Sequence, residues 1–394
     1  MKITFLTNYY YPELGAASNR IRLLAEKLNK TGHDVNVICP MPNYPKGEVF
    51  KKYKFRIFKQ ELINDILIFR FFIYASNSKS FFSRFFSMLS FAVSLWIYAI
   101  NYKSIKKTDL FIVQNSPLLV SFSANILFGK IFRKKIILNI SDLWPMSAKD
   151  VGAIDHGLLY NFLEKIERFN YKSSHMFLCQ SNEIISHISK FNSKPKFLYR
   201  NLPINNKEII YVTNKKFKIV YAGLLGIAQG LYSLIQNINF KELDVEFHIY
   251  GDGYEKSIIE KYTKNNLNNI YYHGLKSKDE LDLILPTYQI AIIPLKTPIF
   301  GAVPSKIFEY ISFGLPILFL GSGEPAQIIK NHSLGLCCDH NNYNELTNNI
   351  KKLKSLNGKE FLKLKKNCLD TSNNIFDFEN QFNSFINFLK TEKK

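Results

Sequence analysis

The stretch GAVPSKIFEYISFG, residues 301–314, holds one cation and one carboxylate, Lys306 and Glu309, among Ile307, Phe308, Tyr310, Ile311 and Phe313. Pro304 and Ser305 stand where a helix would begin, with Ser305 as the expected cap, and Gly314 stands where it would end. A lysine in a first helical turn opposes the helix dipole, and a carboxylate on an apolar cylinder is costly to desolvate. Both choices gain a reason if a diphosphate docks at that helix end. Backbone amides and Lys306 would then share the dianion, and Glu309, one turn on, would accept hydrogen bonds from ribose hydroxyls. The plain alternative is a helix with two solvated charges.

Five further stretches end strand-like runs with small or polar residues. ELGAASNR, residues 13–20, offers the backbone of Gly15 and Ala16 to a phosphate or sugar, with Arg20 one turn into the following helix; an ordinary strand-to-helix connection reads equally well. YAGLLGIAQG, residues 221–230, repeats the device with Gly223, Gly226 and Gln229, and it lacks both the Lys-Ser/Thr ending of a Walker loop and the dinucleotide spacing. Gly251 in GDG and Gly274 in HG could let a nucleotide base approach the backbone, although turn chemistry alone accounts for both. SDLWP, residues 141–145, sets Asp142 and Trp144 at a strand's carboxyl end, where an acceptor or sugar ring would sit; Asp142 could instead cap the next turn.

The elements that carry these loops alternate. KITFLT, DVNVICP, LFIVQN, KKIILNI and HMFLCQ read as strands, each followed by a loop and a helical segment. A second series begins at KIVYAG and runs through VEFHIY, NIYYHG, QIAIIPL and LPILFLG. Such alternation predicts an α/β protein of two doubly wound domains with mainly parallel sheets. The expected bounds are 1–200 and 218–375, an Asn-rich linker at 201–217, and a C-terminal helix in 376–394 packing back on the first domain. Two such sheets facing each other would make a cleft with glycine loops on both walls.

The chain has 394 residues and a formal net charge of +20. Residues 46–107 hold twelve Lys and Arg against three acids, a net of +9, interleaved with FFIY, FFSRFF and FAVSLWIYAI. Basic residues among aromatics favour an anionic membrane surface over nucleic acid, and no nucleic-acid module is visible. The uncharged run 85–100 is shorter than the roughly 20 residues that span a bilayer, so a buried or interface-lying helix is expected. MKITFLTNYYYP reads as a first strand rather than a signal peptide. The five scattered cysteines suit a reducing compartment and no structural metal.

With these motifs assembled, the chain resembles the family 4 retaining glycosyltransferases of the GT-B fold, through YYPELGAASNR, SDLWP, VYAGLLGIAQG and above all GAVPSKIFEYISFGLPIL. It looks closest to bacterial members that build O-antigen, capsule or colanic-acid-type units. The resemblance implies a nucleotide-sugar donor, UDP-linked by family preference, bound mainly by the second domain. It also implies a lipid-linked sugar-diphosphate acceptor on the first domain, and a cytoplasmic protein peripherally attached to the inner face of the plasma membrane. Glu309 matches the second glutamate of the family's paired-glutamate motif, while Gly301 stands at the first. Leu224 and Gln229 stand where many relatives carry Arg and Lys, so Lys306 is expected to carry more of the phosphate charge. Asp142 is the expected acceptor-orienting group. No Asp-x-Asp metal–diphosphate motif is present, so neither metal nor further cofactor is expected. A sugar-nucleotide epimerase on the same architecture, and a non-enzymatic basic membrane- or nucleic-acid-binding protein, are the alternatives.

Overall fold

In the computed structural model, residues 1–13, 15–76, 81–99, 103–204, 216–264 and 268–391 are described. Leu14 and most of the expected 201–217 linker lie outside them. The chain divides into two compact units, Met1–Asn201 with Phe388–Lys394, and Leu202–Asn387.

The first unit is built on β1 (Lys2–Leu6), β2 (Asp34–Pro40), β3 (Phe58–Ile63), β4 (Ile66–Phe71), β5 (Leu110–Gln114), β6 (Lys135–Ile140), β7 (Met176–Cys179) and β8 (Lys196–Leu198). They form one sheet in the order β3-β4-β2-β1-β5-β6-β7-β8. Every pairing is parallel except the β3–β4 hairpin at the edge. The central strands are continuous apolar runs because both faces are covered by helices: Ile3, Phe5, Val37, Ile38, Phe111, Ile137 and Leu138 are all fully or almost fully buried. Each such side chain contributes about 1.5–3 kcal/mol of burial. The strand order reverses at β1, between β2 and β5, which puts the loop after β1 at a topological switch point.

The helix Phe81–Ala99 connects β4 to β5, two strands of the same sheet. Its Phe91 and Leu95 are fully buried in the core, whereas Phe82 is 72% and Phe86 55% exposed. Among the described residues no helix is long and apolar enough to cross a membrane. Upstream, Lys51, Lys52, Lys54 and Arg56 are exposed around Phe55, whose ring is wholly in solvent. Arg70 departs from that pattern. It is fully buried in β4, ion-paired with Glu61 and bonded to the Tyr11 carbonyl, so it ties the hairpin to the loop after β1.

The second unit holds β9 (Phe217–Ala222), β10 (Val245–Tyr250), β11 (Ile270–Tyr272), β12 (Ile290–Pro294), β13 (Ile317–Leu320) and β14 (Gly335–Cys338). Their order is β11-β10-β9-β12-β13-β14, all parallel. The order reverses between β9 and β12, so the carboxyl ends of those two strands frame a crevice. YAGLLGIAQG leaves β9 there, and the segment that carries Lys306 leaves β12. The C-terminal helix is Phe378–Thr391; its Phe388 ring lies 5.3 Å from the Phe197 ring of β8, within the first unit.

Candidate active site

In the second unit the glycines fall into register. Gly223 N–H donates to Tyr250 O at 2.9 Å, and Gly251 N–H donates to Gly274 O at 2.8 Å. Gly223, Gly251 and Gly274 therefore line the carboxyl ends of three neighbouring strands. At Gly251 a Cβ would overlap the Gly223 carbonyl, so only glycine permits this approach. Beside Gly274 the rings of Tyr250 and His273 stack with centroids 4.5 Å apart, and His273 Nε2 meets His248 Nδ1 at 2.9 Å.

Lys306 is drawn onto this row. Its Nζ donates to Ala222 O at 2.5 Å, at the end of β9. A Cβ on Gly223 would collide with the ammonium group. Tyr310, four residues on, holds the same peptide: Ala222 N–H donates to its hydroxyl at 2.8 Å, and that hydroxyl lies 3.2 Å from Ala222 O. Tyr221 Oη donates to Leu224 O at 2.6 Å and fixes the first half of the glycine loop. Burial pushes the Lys306 pKa down, and Glu309 opposes that shift. The ammonium has three donors, so the bond to Ala222 leaves capacity for a ligand. Glu309 is partly buried, one turn beyond Lys306.

Two expectations change here. The helix after Pro304 is only Lys306–Ile311, and Ser305 makes no side-chain cap. Ser305 is already helical, at φ −61° and ψ −18°, so it has the wrong backbone for a hydroxyl cap. Lys306 rather than a capped helix end is the principal charge at this place. Gln229 folds under Gly226, its Oε1 buried without a hydrogen-bond partner among the described residues. It presents a buried acceptor beside Gly226 where the resemblance leads one to expect a cation.

In the first unit Gly15 stands at the N-cap of the helix Ala16–Lys30, which has no side-chain cap there. Arg20 is not a surface residue. It is 3% exposed and donates to Asn139 Oδ1 at 2.9 Å and Ser141 Oγ at 2.5 Å. With its amide turned toward the guanidinium, Gln180 accepts from Arg20 Nε at 3.2 Å. Burial pushes Arg20 down to about 10. These bonds set Arg20 behind the SDLWP loop rather than open for a phosphate. Its charge acts on Asp142, whose pKa is raised by burial and lowered again by Arg20 and by the Ser147 hydroxyl. Asp142 does not cap the turn as an N-cap residue; Pro145 precedes the short helix Met146–Asp150.

Sequence reasoning missed Glu13 as a structural clamp. It is 1% exposed; Oε1 accepts from Asn43 N–H and Tyr44 N–H, both at 2.8 Å, and Oε2 from Tyr10 N–H at 3.2 Å. One carboxylate thus joins the loops after β1 and β2. The signal was its place two residues before Gly15, but residue type alone does not disclose burial. The sequence groups Tyr310 with the apolar residues of its segment and marks no role for Tyr221. Among the described residues no group of three His, Cys, Asp or Glu stands together to hold a metal ion.

Residues 205–369 match the family Glycosyl transferases group 1. An uncharacterized glycosyltransferase of Methanocaldococcus jannaschii, MJ1178, is 32% identical over 168 residues, 40% of this chain and 46% of that relative, so the match spans about half of its length. The Escherichia coli K12 protein named "Putative colanic acid biosynthesis glycosyl transferase WcaI" is 23% identical over 342 residues, 80% of this chain and 82% of its own. Anabaena HepE, solved in complex with UDP and glucose, superposes with a TM-score of 0.70 at 12% identity, covering 99% of this chain and 100% of its own. The fold is GT-B: two Rossmann-like units with parallel sheets. The region that matches the group 1 family, residues 205–369, falls within the second unit.

Proposed function

We propose that the protein is a retaining, metal-independent glycosyltransferase that moves a sugar, an N-acetyl amino sugar by preference, from a UDP-sugar to a lipid-linked saccharide in surface polysaccharide biosynthesis. The observation that carries this reading is Lys306 Nζ held against Gly223 at the switch point of the second sheet. The UDP bound by HepE supports the choice of nucleotide.

In this reading the diphosphate lies across Gly223, Gly226 and Ser305, with Gln229 accepting from a donor hydroxyl and Glu309 from ribose. The base lies by Gly251 and Gly274. The bond between the anomeric carbon and the β-phosphate oxygen breaks, and its electron pair stays on that oxygen. Lys306 is already aimed at the growing charge, which is how a fixed donor lowers such a barrier. The acceptor hydroxyl bonds to the anomeric carbon on the face the diphosphate leaves, and its proton passes to the departing phosphate. In the first unit Asp142, its charge set by Arg20, orients the acceptor, and the Gly15–Ala16 backbone offers its amides to a phosphate or sugar.

The exposed Lys51, Lys52, Lys54 and Arg56 around Phe55 support peripheral attachment to the anionic inner face of the plasma membrane, with the protein in the cytoplasm. The first unit is then the acceptor and membrane domain, and the second the donor domain. The test is a screen of nucleotide sugars with purified protein and a polyprenyl-diphosphate-sugar acceptor. Transfer with the α- or β-configuration of the donor preserved supports the reading. Conversion of the nucleotide sugar without acceptor, or no reaction and no thermal shift with any nucleotide sugar, contradicts it.

A further inference from the structure

We infer that the apolar cavity behind Trp144 in the first unit is the binding site for the hydrocarbon chain of the lipid-linked acceptor. The inference rests on the proposed acceptor class and adds where its tail goes. The cavity encloses about 400 Å³, and its walls include Phe85 and Met88 of the helix Phe81–Ala99, Leu118, Trp144, Ala153 and Leu163. That volume lies within the roughly 300–1,000 Å³ of small-molecule sites. Every lining side chain is apolar, the Trp144 indole N–H aside. The polar part of the lining is main chain apart from that N–H, and apolar surface predominates, so a sugar or a phosphate loses more water there than it regains in partners, whereas a hydrocarbon loses nothing and gains burial.

Its place singles out the acceptor. Trp144 stands two residues beyond Asp142, past the carboxyl end of β6, so a chain lodged here has its polar end close to the group proposed to orient the acceptor. The apolar surface also continues outward. Val151 and Phe162, chain neighbours of the lining residues Gly152 and Leu163, are exposed, as are Phe82 and Phe86 beside Phe85. On the helix Phe81–Ala99 the exposed row Phe82, Phe86, Val93 and Ile97 lines a second, wider apolar groove with Ile57 and Phe72. That second groove, whose lining also includes Ser83, Ser90 and Ser94, is on the same helix as Phe85 and Met88 and offers further apolar surface to a chain longer than the cavity. A free fatty chain would fit the cavity as well, but it would lack the headgroup that Asp142 meets.

The experiment uses the full chain with Trp96→Phe, which leaves Trp144 as the single tryptophan. Its fluorescence is titrated with ω-bromododecyl phosphate, a heavy-atom quencher. Saturable quenching, displaced by geranylgeranyl diphosphate and not by phosphatidylglycerol vesicles, is the expected result. Ala153→Phe, which sets a large ring at the exposed rim of the cavity and obstructs its mouth, should weaken binding about tenfold, and Met88→Asn, a milder change at the wall, should weaken it less. Both variants should keep the wild-type thermal shift with UDP, which shows that they fold. Non-saturating quenching, equal displacement by the vesicles, or unchanged affinity in folded Ala153→Phe overturns the inference. Failure of the proposed reaction reads differently: no sugar transfer to any lipid-linked acceptor, with the saturable Trp144 site intact, rejects the reaction and leaves the site. Transfer whose KM is indifferent to acceptor chain length rejects the site and leaves the reaction.

Discussion

Removing the Lys306 ammonium should separate catalysis from folding. Among the described residues the side chain makes one hydrogen bond, to Ala222 O, and Tyr310 Oη lies 3.2 Å from the same oxygen. Lys306→Ala therefore leaves that carbonyl with a partner. A lost charge-assisted bond is worth about 1.5–3 kcal/mol, but the buried ammonium was itself costly, as its lowered pKa records. The two effects oppose, so global stability should change by no more than about 1 kcal/mol. In the transition state the loss is one fixed donor to a growing phosphate charge, about 10²–10³ in kcat, or ~2.7–4 kcal/mol. The assay is kcat at saturating UDP-sugar beside a urea melt. Lys306→Arg should not rescue, because the larger group would wedge against Gly223. A variant with wild-type kcat and a raised donor KM would refute the reasoning, since it would make Lys306 a ground-state binder. So would a kcat loss matched by a large loss of stability.

Other outcomes follow from the same geometry. Because burial lowers the Lys306 pKa, the alkaline limb of kcat/KM for the donor should fall below the ordinary lysine range, and Glu309→Gln should move it lower still; a limb that Glu309→Gln leaves in place would deny the coupling. Glu167, buried and bonded to Tyr171 Oη at 2.6 Å, is pushed up to about 7 by burial. The folded state therefore holds a proton that the unfolded state has released, so stability should decline between about pH 4.5 and 7, by up to about 3 kcal/mol. Glu167→Gln should flatten that decline in pH-dependent urea melts. Glu13→Ala strands three amides in the interior and should cost about 1–3 kcal/mol for each one that water does not reach, read by denaturant midpoint. Lys52→Gln with Lys54→Gln should weaken flotation on anionic vesicles about thirtyfold, at about 1 kcal/mol per basic residue, and high salt should do the same to the parent protein.

Much of the sheet was legible because buried parallel strands are long apolar runs bounded by loops. KIVYAG, QIAIIPL and LPILFLG announced β9, β12 and β13 in this way. The strands missed had weaker signatures. β3 alternates polar and apolar residues at an antiparallel edge, β8 has three residues, and β14 starts with Gly335 and carries two cysteines. The site was legible as types at positions: glycines after strands, one lysine and one carboxylate after β12. What sequence could not convey was which polar groups the fold consumes. Arg20 has the chemistry of a phosphate ligand, yet Asn139, Ser141 and Gln180 surround it. Ser305 has the chemistry of a cap, yet its backbone has already turned helical. Tyr310 is core, as its apolar neighbours suggest, and its hydroxyl also shares Ala222 with Lys306, a pairing visible only once β9 and the segment after β12 are neighbours.

The central claim is that the leaving diphosphate rests against Lys306 and Gly223. A structure of the protein with UDP bound tests it most directly. The account predicts a β-phosphate oxygen at about 3 Å from Lys306 Nζ and packed on the Gly223 backbone, with the uracil beside Gly274. A diphosphate held elsewhere on the second unit, with Lys306 still bonded only to Ala222, would contradict it.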